Sequence, residues 1–120
     1  MTQLALQLQT FNGVGIITMN GRLDAFTARQ LHHAVQTQLH QGVQRIILHT
    51  EQVQFGSIAG VRTMLQLQQQ ARSRGGDLLL VSPSRPLMQV LTLTEANRLL
   101  KIYPTLNEAV SILFIGAYAS

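Results

Sequence analysis

Leu4, Leu6 and Leu8 alternate with Gln3, Gln7 and Gln9, the period-two pattern of a half-buried strand. Asn12-Gly13 follows, and both residue types tolerate positive φ, so the pair predicts a tight hairpin turn. Val14 to Met19 makes the returning strand, which Asn20-Gly21 is expected to end. Thr27-Ala28-Arg29-Gln30 reads as a capping box, in which hydroxyl and amide reciprocally satisfy free backbone donors. Leu31, Ala34, Val35 and Leu39 then recur at helical spacing, and Gly42 is a natural stop. Ile46-Ile47-Leu48 predicts a short strand buried on both faces.

The second half repeats the alternation. Ser57 can cap a helix whose apolar face is Val61, Met64, Leu65 and Ala71, closing at Gly75-Gly76. Leu78 to Val81 predicts a strand, and Ser84 with Pro86 opens a short helix carrying Leu87, Val90 and Leu91. Leu99 to Ile102 is a weaker strand pattern. Thr105 and Glu108 form a second capping box before a C-terminal helix through Ile112 and Leu113. The order ββαβαβαβα demands a mixed α/β sheet covered by helices, because parallel neighbours need crossovers. No linker, repeat or low-complexity tract interrupts it.

A chain of 120 residues suits one domain, read here as residues 1–120, and can bury roughly two-thirds of its unfolded surface. Apolar residues at 46% against charged residues at 12% argue against disorder and coiled coil. No run approaches the ~18 apolar residues of a membrane span, so no membrane insertion is expected. Met1 opens no signal-peptide pattern, since Gln3, Gln7 and Gln9 interrupt it. Without cysteine there are no disulfides or thiolate sites, which suits a cytoplasmic location. Nine Lys+Arg against five Asp+Glu leave +4, yet the arginines are spread along the chain without interleaved aromatics. Nucleic acid is therefore not an expected partner.

Catalytic constellations need convergent ionisable groups, and Asp24, Glu51, Asp77, Glu95 and Glu108 include no closely spaced pair. His32, His33 and His40 fall on the first helix, whose buried stripe is claimed by Leu31, Val35 and Leu39, and read as solvated rather than ligating. His49 ends a strand with no second ligand at a suitable spacing. Phosphate-loop, dinucleotide and nucleophile-elbow motifs are missing from the sequence. Neither enzyme activity, nor a cofactor, nor a metal is expected.

One stretch stands out. Val53-Gln54-Phe55-Gly56-Ser57-Ile58-Ala59-Gly60-Val61 reads as a loop running from the strand at Leu48 into the second long helix. It places small residues at a helix N-terminus on the C-terminal edge of parallel strands, where open α/β sheets put their sites and free N–H groups can donate to an anion or to a partner's acceptors. Gly21-Arg22-Leu23-Asp24 is expected at the same edge. On spacing alone, Gly56 and Ser57 read equally well as a turn and a cap.

At these residues the sequence resembles the STAS domain, the module shared by anti-sigma-factor antagonists and the cytoplasmic tails of sulphate transporters. The resemblance runs through the opening hairpin, Gly21-Arg22-Leu23-Asp24 matching the family's G-x-L-D, and Val53-Gln54-Phe55. It continues through Leu65 and Ala71, then Gly75-Gly76-Asp77-Leu78-Leu79-Leu80-Val81, and Ile102-Tyr103-Pro104-Thr105 before Glu108-Ala109. It implies the STAS fold: a mixed sheet of about five strands, hairpin first, covered by about four helices.

The resemblance also implies a non-enzymatic interaction module of bacterial signalling, with an anti-sigma factor of serine-kinase type or another signalling protein as partner. A second copy of the chain is a further candidate. In antagonists the loop usually reads D-S-S-G, and the kinase phosphorylates the second serine; the added charge opposes docking. Aligned on Phe55 and Gly60, the motif falls on Ser57-Ile58-Ala59-Gly60, so Ala59 replaces the acceptor and offers no hydroxyl. Ser57 is the one hydroxyl left in the motif and reads as an N-cap, with a shifted acceptor as its alternative. The implied partner surface is Asp24, Gly56, Ser57, Ile58, Ala59, Gly60 and Arg62. A STAS subunit or scaffold of a membrane transport complex is the other reading, kept open by apolar Ile112-Leu113-Phe114-Ile115. A third reading is nucleotide binding or hydrolysis at the helix N-terminus; the apolar loop and the missing catalytic base argue against hydrolysis.

Overall fold

The structure, a computed structural model, describes the backbone of residues 3–119 and the side chains of residues 3–113. Its strands are β1 (Leu4–Phe11), β2 (Val14–Leu23), β3 (Arg45–Gly56), β4 (Asp77–Val81) and β5 (Lys101–Tyr103). Its helices are α1 (Ala28–His40), α2 (Ile58–Ser73), α3 (Arg85–Leu93) and α4 (Leu106–Ala119), with a 3-10 turn at Ala96–Arg98. The five strands lie in sequence order, β1 antiparallel to β2 and the remaining neighbours parallel. The mixed sheet and four helices expected from the sequence are present.

Alternation along the strands builds two cores. Ile17, Met19, Ile46, Leu48, Leu78 and Leu80 face α1, α2 and α3, which contribute Leu31, Val35, Met64, Leu67, Leu87 and Leu91. Val14, Ile16, Ile47, Leu79 and Val81 face α4 through Ala109, with Leu106, Val110 and Leu113 packed around it. Burying such side chains contributes about 1.5–3 kcal/mol each. Ile112 is exposed, and the rest of the apolar tail, Phe114 and Ile115, has side chains outside the described residues.

Four local expectations are corrected. The second strand does not end at Asn20-Gly21 but runs to Leu23, because β3 continues to pair with it as far as Leu23↔Gly56. Correspondingly, Val53 to Gly56 is strand and not loop. The register slips between Thr18 and Asn20 and again between Gly21 and Arg22, and at each slip β3 carries one extra residue. Each bulge inverts which alternate side chain faces the helices, so Leu48 and Val53, five positions apart, join the same core. Gly21 takes φ +123° at the second slip, which glycine permits.

The capping box at Thr27 does not form. Thr27 already has helical dihedrals and makes no side-chain cap; its hydroxyl donates to the Arg22 carbonyl at 2.7 Å and accepts from the Asp24 N–H at 2.9 Å. Asp24 takes over the start of α1, its Oδ1 accepting from the Phe26 and Thr27 N–H groups at 3.0 and 2.9 Å. The last strand is Lys101–Tyr103, displaced from Leu99–Ile102 by the 3-10 turn, after which Leu100 turns into the core. The caps at Ser57, Ser84 and Thr105 each accept the amide three residues ahead.

Candidate functional site

The parallel strands end at one edge of the sheet, and β2 and β3 project furthest, since β4 pairs with β3 only as far as His49↔Val81. At the tip, the Ser57 N–H donates to the Leu23 carbonyl at 2.8 Å, tying the start of α2 to the end of β2. Ser57 Oγ accepts from the Gly60 N–H at 3.0 Å and its carbonyl from the Val61 N–H at 3.0 Å. Among the described residues, the Ile58 and Ala59 N–H groups are the ones this turn leaves without a partner.

Two glycines bring the layers together. A Cβ on Gly60 would stand 2.6 Å from Leu23 Cγ, and one on Gly56 would stand 2.9 Å from Leu87 Cδ1. Both residues are buried, so they set the closeness of α2 and α3 to the strands and lie beneath the surface rather than in it. The surface is made by their neighbours. Ile58 is 48% exposed, Phe55 38% and Phe26 66%, while Ala59 and Ser57 are half-buried and Arg62 is exposed on α2.

Charge sits beside this apolar tip. The Arg22 guanidinium lies 4.2 Å from the centroid of the Phe55 ring, a cation–π arrangement. The Thr27 N–H above all holds the Asp24 carboxyl below the usual carboxylate range, against a desolvation that acts the other way, and the Thr27 hydroxyl, the Phe26 N–H and Arg22 help. Hydrogen bonding to the ionised form is the main cause. Asp24 is therefore an anion whose Oδ1 is committed to its own turn. No carboxylate among the described residues lies within 4 Å of Arg22, Arg29 or Arg62. A cleft between α1 and α2, lined by Ala25, Ala28, Arg29, His32 and Thr63, opens alongside.

The expected site residues thus gather at one edge: Asp24 next to the β2–α1 turn, Gly56 to Gly60 at the β3–α2 junction, and Arg62 one turn along α2. Sequence reasoning missed Phe26, and Leu87 as the support beneath Gly56; it placed Arg22 and Phe55 at this edge without counting them in the partner surface. Large apolar residues among the short polar residues of a turn, as in Asp24-Ala25-Phe26-Thr27, are the signal that could have marked the first. His32, His33 and His40 are exposed on α1, and His49 lies 3.8 Å from Glu51. No three His, Asp or Glu side chains gather among the described residues, and no helix there is long and apolar enough to cross a membrane.

A family model described as the STAS domain matches residues 5–109. The chain is similar to BtrV of Bordetella bronchiseptica, provisionally named an anti-sigma factor antagonist, at 26% identity over 104 residues covering 87% of each chain. A provisionally named anti-sigma factor antagonist of Thermotoga maritima superposes with a TM-score of 0.82 at 27% identity, over 88% of this chain and 92% of that one. The anti-sigma factor antagonist SpoIIAA in its unphosphorylated form shares the fold, with a TM-score of 0.79 at 23% identity over 91% and 96% of the two chains. With the family model spanning most of its length, and its hairpin, parallel strands and helices superposing on these relatives, the chain belongs to the STAS domain family.

Proposed function

We propose that the chain is a non-enzymatic binding module of anti-sigma-factor-antagonist type, which docks a kinase-type anti-sigma factor or similar signalling protein on the edge formed by Asp24, Gly56 to Gly60 and Arg62. The observation that carries this reading is the exposed apolar tip of Ile58, Phe55 and Phe26 around half-buried Ala59, flanked by Arg22 and Arg62. Apolar residues ringed by charge suit a protein partner, whereas an acid–base reaction needs convergent carboxylates or imidazoles that this edge does not assemble. The names of the relatives point the same way.

Ala59 stands where the antagonist branch carries its phosphorylated serine, and an alanine accepts no phosphoryl group. The module therefore binds without being silenced at that position. Ser57 is held as the N-cap of α2, its Oγ engaged by the Gly60 N–H.

Affinity capture from the native cell tests this with wild type and Ala59→Glu side by side. Wild type retains a histidine-kinase-like anti-sigma factor and the variant loses it, while stability changes by less than about 1 kcal/mol, as for most surface substitutions. Incubating Ala59→Ser with the captured kinase and ATP yields a phosphorylated protein that wild type does not give. Equal capture by Ala59→Glu, or retention of a transporter ATPase subunit instead, overturns the reading.

A further inference from the structure

At the far margin of the sheet, β1 has β2 as its single neighbour among the described residues. Their ladder runs without a slip from Leu4↔Gly21 to Phe11↔Val14, and two observations give its phase. The Arg22 N–H donates to the Gln3 carbonyl, and Asn12 and Gly13, at φ 50° and 79°, form the two-residue turn that closes a hydrogen-bonded Phe11–Val14 pair. In an antiparallel ladder such pairs alternate. Gln3, Ala5, Gln7, Gln9 and Phe11 therefore bond to β2, while Leu4, Leu6, Leu8 and Thr10 direct their N–H and C=O groups away from it.

Natural edge strands are blunted by charge, proline, bulges or shortness. β1 has none of these: its sequence LALQLQTF is uncharged, free of proline and eight residues long. The opposite margin is blunted, because β5 has three residues, an exposed Lys101 among them, and Pro104 follows. On β1, Leu8 is 46% exposed and Phe11 55%.

We infer that β1 is the interface of a symmetric homodimer, in which two copies pair antiparallel along β1 to join two five-stranded sheets into one. The occupant follows from complementarity. A strand without charge meets an identical strand without repulsion, and an unpaired antiparallel edge is its own partner under a two-fold axis. An axis perpendicular to the sheet keeps each face on its own side, so even positions meet even positions. One register employs every outward residue: Leu6 opposite Leu8 of the second copy, Leu4 opposite Thr10, and Gln7 beside its own counterpart on the axis. Each even-numbered pair exchanges both of its main-chain bonds, and the leucines form one apolar row on the face that α1 covers. β1 meets the parallel edge where the partner docks only at its start, Gln3 and Leu4 lying beside Arg22 and Gly21, while the pairing centres on Gln7, and the dimer stands or falls separately from that reading.

Sedimentation equilibrium over about two decades of micromolar concentration is expected to show a monomer–dimer equilibrium that closes at the dimer. Amide hydrogen exchange of the same samples should slow with concentration at Leu6, Leu8 and Thr10 and stay constant at Ala5, Gln7 and Gln9. Gln7→Lys sets like charges against each other on the axis and should weaken association about tenfold at low salt. Mixing Gln7→Lys with Gln7→Glu should restore it. Gln7 is exposed, so circular dichroism of each variant alone should match wild type. A monomer throughout, open-ended polymers, concentration-independent exchange at the three outward amides, or variants and mixture that all associate like wild type overturns the proposal.

Discussion

Gly60→Ala reports on how closely α2 sits on the end of β2. The new Cβ would stand 2.6 Å from Leu23 Cγ, 3.0 Å from Cδ2 and 3.1 Å from the Leu23 carbonyl oxygen. Leu23 is fully buried and its carbonyl holds the Ser57 N–H, so neither side chain nor backbone yields freely. Replacing a helical glycine by alanine ordinarily gains up to about 1 kcal/mol, whereas forcing a methyl into a filled contact costs about 1–3 kcal/mol. The overlap prevails, and the net loss should be about 1–2 kcal/mol, lowering Tm by about 4–8 °C. Urea denaturation of wild type, Gly60→Ala, Leu23→Ala and the double variant measures both the loss and its origin. Leu23→Ala alone should cost about 2–5 kcal/mol, and adding Gly60→Ala to it should then cost nothing, a coupling of about 1–2 kcal/mol. A Gly60→Ala protein as stable as wild type, or strict additivity with Leu23→Ala, would refute the packing argument.

Asp24→Ala removes the acceptor that starts α1 and should lower stability at neutral pH. Because the folded carboxyl titrates below its ordinary value near 3.8, its contribution is complete above that value and fades as pH falls through the folded pKa. The gap in urea midpoint between wild type and variant should therefore narrow in acid; a gap that widens there contradicts the assignment. Asp77 holds Arg72 at 3.1 Å, Lys101 at 3.0 Å and the Leu78 N–H at 2.8 Å, so Asp77→Ala should cost about 2 kcal/mol, seen as a lower urea midpoint. An unchanged midpoint would show that these contacts contribute nothing net.

The hairpin was legible because Asn12-Gly13 meets a steric demand that few residues meet, and α2 and α3 because Ser57 and Ser84 sit where a cap must. What escaped was tertiary. Residues 50–56 do not alternate, since two bulges in β3 break the period that strand reading relies on, and only pairing with β2 keeps that segment extended. Asn20-Gly21 looked like a stop, whereas the ladder on both sides carries β2 through it. Thr27 looked like the cap of α1, yet Asp24 three positions earlier holds the turn, accepting the Phe26 and Thr27 amides, while the Gln30 N–H goes to the Thr27 carbonyl. At the site, resemblance to a family aligned Ser57 to Gly60, but nothing in the spacing foretold that Gly60 exists for Leu23 and Gly56 for Leu87.

Because β3 outruns β4 by seven residues, the start of α2 is mounted on a spur without β4 and β5, built of β2 and β3 with β1 alongside as far as Gly21 and Arg22, and α3 is the prop beneath it through Leu87 and Gly56. Whatever presses on Ile58 loads that spur and not the full width of the sheet. Substitutions along the hidden side of α3 would therefore retune the seat offered to a partner without altering a single atom that the partner touches.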